Sequence, residues 1–219
     1  MIKGVIFDMD GLMIDTEKLL MKFWIQSANE YGFDMKKEHV LSIRSLAPEY
    51  AVGKLKSFLG DDFDYYKVKK RRIELMNDYI SRYGIEKKYG IDELLRYLTE
   101  NNIRKAVATA TDIKRTEKYL SQLEIINYFD KIVSASMVEH GKPAPDIYLA
   151  AAAGINLDPK ECMALEDSPN GICSAYRAGC MPVMVPDLSQ PDEETEKLLF
   201  AKADNLLQVI DILQKLIEN

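Results

Sequence analysis

The segment Val5-Ile6-Phe7-Asp8-Met9-Asp10-Gly11 constrains the fold more than any other stretch of this chain. Three apolar residues run into two carboxylates spaced i and i+2, and then into a glycine that allows a tight turn. Alternate residues of an extended segment point to the same side. A buried strand here therefore delivers Asp8 and Asp10 together from its carboxyl end. Two like charges that close are unstable unless a cation or a shared proton neutralises them. Whatever the chain folds into must supply that neutralisation at the end of this strand.

The pattern downstream supplies candidates. Ala106-Val107-Ala108 runs into Thr109-Ala110-Thr111-Asp112, Lys131-Ile132-Val133 is a further strand candidate, Cys162 to Leu165 runs into Glu166-Asp167, and Met181 to Val185 follows. Helical stretches separate these segments. Strands alternating with helices predict a parallel sheet with helices on both faces, a Rossmann-like, doubly wound α/β core. Asp8, Thr109 and Asp167 then share the carboxyl edge of the sheet, where open α/β sheets bind ligands. Between about Asp15 and Tyr83 no strand pattern occurs. Apolar residues recur there at helical spacing, as in Leu19, Leu20, Phe23 and Trp24, or Ala51, Val52, Leu55 and Phe58. The expected organisation is an α/β core from 1–14 and 85–219 with an all-helical cap, 15–84, inserted after the first strand. A chain of 219 residues has room for both. Phe200 to Asn219 reads as packing at the sheet edge.

Composition narrows the partners. A net charge of -6 speaks against nucleic acid, which requires a basic face. The run Lys67-Val68-Lys69-Lys70-Arg71-Arg72 is a local exception, expected to be a solvated helix face. No apolar run approaches the roughly 20 residues of a membrane span, so no membrane partner is expected. Asp8 and Asp10 also interrupt what would be the apolar part of a signal peptide. Cys162, Cys173 and Cys180 lack metal-ligand spacing and read as reduced thiols, consistent with a cytoplasmic location. His39 and His140 have no partner motif and are expected at the surface or in a supporting role. Trp24 reads as cap core rather than a substrate platform.

The rim residues suggest phosphoryl chemistry, although each has a plainer reading. An Asp-x-Asp pair can be a solvated turn, or it can bind Mg²⁺, which favours oxygen ligands. A carboxylate can also attack phosphorus and form an aspartyl-phosphate. On that reading Asp8 attacks and Asp10 gives and later removes a proton. Thr109 and the amides that follow, beginning with Ala110, can receive phosphate oxygens at a helix start, or Thr109 or Thr111 can simply cap that helix. Lys142, in Gly141-Lys142-Pro143-Ala144-Pro145-Asp146, is either a solvated loop lysine or a fixed ammonium for phosphate and Asp8. Asp146 is expected to cap the following helix. Asp167 can complete a Mg²⁺ shell or act as an N-cap, a duty for which Ser168 competes.

Together these four ordered elements resemble the haloacid dehalogenase-like hydrolase superfamily over essentially the whole chain. Phe7-Asp8-Met9-Asp10-Gly11 with Asp15-Thr16-Glu17 is similar to the first motif, Thr109 to the second, Lys142 to the third, and Glu166-Asp167-Ser168-Pro169-Asn170-Gly171 to the fourth. The resemblance implies Asp8 as nucleophile, Asp10 as general acid/base, and Thr109, Ala110 and Lys142 as phosphate-binding residues. It implies Mg²⁺ held by Asp8, the Asp10 carbonyl and Asp167, with Glu166 nearby or acting through water. The motif forms are similar to β-phosphoglucomutases and small sugar-phosphate phosphatases. Mutases of this kind carry a histidine shortly after the first motif and a phosphate-binding arginine in the first cap loop. Leu20 and Pro48 stand at those places here, with Arg44 a few residues earlier as a possible cap contact to substrate. The expected function is thus a Mg²⁺-dependent phosphatase acting on a small phosphorylated metabolite, a sugar or polyol phosphate. A sugar phosphomutase is the alternative and a non-catalytic phosphometabolite-binding protein the remoter one. Oligomeric state is left open, a monomer being consistent with the sequence.

Overall fold

The computed structural model describes residues 2–188 and 190–217. Strand β1 (Gly4–Phe7) leads into helices α1 (Glu17–Glu30), α2 (Lys37–Leu41), α3 (Pro48–Leu59) and α4 (Tyr65–Tyr83). Then follow α5 (Ile91–Glu100), β2 (Arg104–Thr109), α6 (Ile113–Gln122), β3 (Lys131–Ser134) and α7 (Asp146–Gly154). The chain continues through β4 (Cys162–Glu166), α8 (Pro169–Arg177), β5 (Met181–Met184), α9 (Glu193–Glu196), β6 (Ala201–Lys202) and α10 (Leu206–Ile217). The six strands form one parallel sheet in the order β3-β2-β1-β4-β5-β6. This is the expected doubly wound α/β core.

Burial on both faces explains why the central strands read as unbroken apolar runs. In β1, Val5 and Phe7 join a cluster with Leu94, Leu95 and Leu98 of α5 and with Val209 and Leu213 of α10. Ile6 points the other way, with Ala106, Ala108 and Ala164, onto Ile147, Ala151 and Ala152 of α7. The small side chains on that face let the alanine-rich helix lie close to the sheet. The edge strand β6 is too short for a period-2 pattern, so the sequence shows only the packing around it. Its Ala201 pairs with Val183 of β5. The last two residues of the expected edge segment, 218 and 219, lie outside the described residues.

Helices α1–α4 have their own apolar cluster, which includes Trp24, Ala28, Val40, Leu55, Phe63 and Val68. Phe23 of α1 and Met76 and Ile80 of α4 face the core cluster instead and join the helices to the sheet. The expected solvated charge run lies on α4 and is divided by its periodicity. Lys67 and Lys70 are exposed, whereas Val68 and Arg72, one turn apart, are buried. Asp146 also departs from expectation. Pro145 holds the position before α7 with near-helical backbone, φ -76 and ψ -12, so winding starts early and Asp146 falls in the first turn. Its carboxylate accepts from the His140 N–H instead. Among the described residues no helix is long and apolar enough to cross a membrane.

Candidate active site

The carboxyl edge of β1, β2 and β4 assembles the site. The Asp8 N–H donates to the Leu165 carbonyl at 3.0 Å, continuing the ladder one residue past β1. Gly11 then turns the chain at φ 85, and a Cβ at this position would collide with the Asp167 carboxylate. A residue other than glycine is therefore excluded on two counts, backbone and space.

The two acids at the strand end have different surroundings. Asp8 is 2% exposed and accepts from Lys142 Nζ at 2.5 Å. Asp10 is held by two hydroxyls, Thr16 Oγ1 at 2.5 Å on Oδ1 and Thr111 Oγ1 at 2.7 Å on Oδ2. One carboxylate faces an ammonium, the other is oriented by neutral donors.

Lys142 is buried and spends its donors on three acceptors: Asp8, Glu166 Oε1 at 2.6 Å and the Ala108 carbonyl at 2.9 Å. An ammonium has three protons, so this set is complete. Burial lowers the Lys142 pKa, but the adjacent Asp8 and Glu166 outweigh it and hold the group above the ordinary lysine value. Glu166 also accepts from Tyr148 Oη at 2.8 Å and Ser168 Oγ at 3.1 Å. A Cβ on Gly171 would strike the Glu166 carboxylate, which explains the glycine there. Ser168 takes the N-cap of α8, accepting from the Gly171 N–H, which leaves Asp167 free of that duty.

Asp167 is fully buried, and its Oδ1 has no hydrogen-bond partner among the described residues. Burial pushes its carboxyl well above the usual range; Arg44 opposes this, while Glu17, Glu166 and Asp187 add to it. Asp8, Glu166 and Asp167 can each bring one oxygen within 4.8 Å of the others. An orphaned buried carboxylate oxygen beside two further carboxylates is a donor set suited to a hard divalent cation such as Mg²⁺. The residues present therefore fit the metal that the motifs imply.

Thr109 is buried at the end of β2, where its Oγ1 accepts from the Thr111 N–H at 3.0 Å. Capping of α6 falls to Asp112, which accepts from the Arg115 N–H. Thr109 and Ala110 are thereby left to line a cavity of about 470 Å³ together with Asp8 and Asp10. Helices α1 and α4 and the turn into α3 close its other side with Leu20, Trp24, Pro48, Lys69 and Arg72. Trp24 thus belongs both to the helical core and to the cavity wall. Arg44, a possible cap contact to substrate, is buried and lines the same cavity. Its Nε stands 3.0 Å from Glu17 Oε2, its Nη2 pairs with Asp167, and its carbonyl accepts from Asn170 Nδ2 at 2.8 Å.

Tyr148 and Arg115 carry no expectation from the sequence, Glu17 only membership of the first motif, and Lys69 and Arg72, expected on a solvated face, line the cavity instead. Burial drives the Glu17 pKa up to about 8; Arg44 opposes the rise and Asp10, Asp8 and Asp187 add to it. Its place directly after Asp15-Thr16 is the only signal the chain offers for it. For Lys69 and Arg72 the signal is their i, i+3 spacing around buried Val68.

The chain is similar to known proteins over most of its length. Residues 5–185 match the haloacid dehalogenase-like hydrolase family. The chain is 32% identical to the β-phosphoglucomutase of Bacillus subtilis over 84% of this chain and 83% of that protein. It is 30% identical to a phosphorylated carbohydrates phosphatase of Thermotoga maritima, over 81% of this chain and 82% of that one. The structure of CbbY from Rhodobacter sphaeroides in complex with phosphate superposes with a TM-score of 0.79 at 26% identity, covering 95% and 96% of the two chains.

Proposed function

Because this chain belongs to the haloacid dehalogenase-like hydrolases and is an enzyme, we propose that it hydrolyses a small phosphomonoester, a sugar or polyol phosphate, through an aspartyl-phosphate. The observation that carries this reading is the unequal setting of the two acids. Asp8 lies against Lys142, while Asp10 is oriented by Thr16 and Thr111. In the first step an Asp8 carboxylate oxygen bonds to phosphorus as the ester oxygen departs. Asp10 supplies the proton that the leaving alcohol takes. In the second step Asp10 removes a proton from water, and the resulting oxygen attacks phosphorus, freeing phosphate and restoring Asp8. Thr109 and the Ala110 amide receive the phosphoryl oxygens, joined by Lys142 through the N–H proton it releases from Asp8 as that carboxylate attacks. Asp8, Asp167 and the Asp10 carbonyl would hold Mg²⁺, with Glu166 supporting them. The metal, when bound, neutralises charge on the phosphoryl group. Residues 15–84 act as the cap that covers the cavity and excludes water while the ester bond breaks.

Hydrolysis is favoured over transfer to a second sugar hydroxyl because Leu20 and Pro48 line the cavity without charge. The likeness to a β-phosphoglucomutase supports the second reading. Two measurements separate these possibilities. Asp8→Asn should abolish Mg²⁺-dependent phosphate release from an aryl phosphate, and unchanged turnover would remove Asp8 as nucleophile. Fed β-glucose 1-phosphate and trace bisphosphate, the enzyme should release phosphate faster than it forms glucose 6-phosphate; the reverse order favours the mutase.

A further inference from the structure

The reaction above leaves a polar group beside Lys142 without a part, the hydroxyl of Tyr148. The side chain is fully buried on α7, in a cluster with Ile6, Ala108 and Ala164. Phenylalanine would fill the same volume there, so packing alone gives no reason for the oxygen. That oxygen donates to Glu166 Oε1 at 2.8 Å, and the same Oε1 accepts from the Lys142 ammonium at 2.6 Å. The ring makes a second contact with this cation, Lys142 Nζ lying 5.2 Å from its centroid. Tyr148 therefore touches the ammonium with its ring and the ammonium's second acid with its hydroxyl. The other oxygen of Glu166 is held as well. Its Oε2 accepts from Ser168 Oγ at 3.1 Å, the Asp167 N–H at 3.2 Å and the Ser168 N–H at 3.4 Å. Lys142 lies in the loop before α7 and Tyr148 in its first turn, so the seating of one helix sets both.

We propose that Tyr148 is a positioning residue, which fixes Glu166 so that the Lys142 ammonium stays beside Asp8 while the phosphoryl group is transferred. Before attack the ammonium stands between two carboxylates, Asp8 at 2.5 Å and Glu166 at 2.6 Å. As an Asp8 oxygen bonds to phosphorus, the Asp8 carboxylate loses its negative charge. Glu166 then becomes the stronger partner and draws Lys142 away from the phosphoryl oxygen it has to reach. The Tyr148 hydroxyl opposes this drift in two ways. It occupies a lone pair of Oε1, which weakens the hold of that oxygen on the ammonium. Together with the donors on Oε2, it also keeps the carboxylate from turning toward the cation. Asp8 keeps its full charge until attack begins, so the effect belongs to the transition state and not to the bound substrate.

This role rests on the phosphatase reading for Asp8 as nucleophile, and the experiment keeps the two apart. Tyr148→Phe deletes the hydroxyl and keeps the ring. With an aryl phosphate and saturating Mg²⁺, kcat should fall about tenfold or more, as for a lost hydrogen bond to a charged acceptor, with KM unchanged. Metavanadate, which takes five-coordinate geometry like phosphorus under attack, should bind about tenfold more weakly to Tyr148→Phe in calorimetry, and inorganic phosphate as before. Both losses should shrink when Tyr148→Phe is added to Glu166→Gln, because the hydroxyl acts through that carboxylate. Unchanged kcat and vanadate affinity in Tyr148→Phe overturn the role. So does a rise in KM alone, an equal loss for vanadate and phosphate, or a lowered melting temperature with kcat intact. Losses of undiminished size in the Glu166→Gln background overturn the route through Glu166. Failure of the phosphatase reading shows separately, as absence of phosphate release by the unsubstituted enzyme, and the vanadate comparison then decides the role of Tyr148 without turnover.

Discussion

Lys142 Nζ stands 2.5 Å from Asp8 Oδ1, and both side chains are buried. The same ammonium reaches Glu166 at 2.6 Å, so one cation compensates two buried acids. Lys142→Met should therefore do more than weaken phosphate binding. It leaves both carboxylates without their counter-charge, a loss of about 3–5 kcal/mol for a broken buried pair. Urea unfolding should show the midpoint falling with little change in slope. A midpoint equal to that of the unsubstituted protein contradicts the pairing.

Asp10 depends on Thr111 for its orientation, across 2.7 Å and a gap of 101 residues in sequence. Thr111→Val keeps the shape and deletes the donor. The carboxylate then retains only Thr16, and its proton no longer lies on a fixed line to the leaving group. The turnover number should fall by about ten- to a hundredfold through misplacement, with KM little changed. A fall in kcat/KM caused by KM alone would assign Thr111 to substrate binding instead.

Arg44 occupies the neighbourhood in which a divalent cation would be held, paired with Asp167 and Glu17. Guanidinium and metal then neutralise the same acids, and removing one should strengthen the other. Arg44→Met should lower the melting temperature in EDTA, because Glu17 and Asp167 lose their cation. It should also increase the stabilisation gained per unit of added Mg²⁺, corresponding to about tenfold tighter binding. Thermal melts across a Mg²⁺ series measure both effects. A variant whose melting temperature responds less to Mg²⁺ than the unsubstituted chain sinks the competition.

The rim is legible in the sequence because strands announce themselves there. Asp8, Thr109 and Asp167 each follow an apolar run, and parallel topology carries such run-ends to one edge. Arg44 and Arg72 are illegible for the opposite reason. Arg72 lies on a helix and Arg44 in the turn after α2, and the surroundings of each depend on packing against a distant element, as when Arg44 meets Asp167 across 123 positions. A charge run gives no sign that one member turns inward. The depth of Arg72 follows from Val68 one turn before it, and only the packed structure shows that this stripe borders a cavity. Strand β6 escapes notice because two residues cannot display alternation.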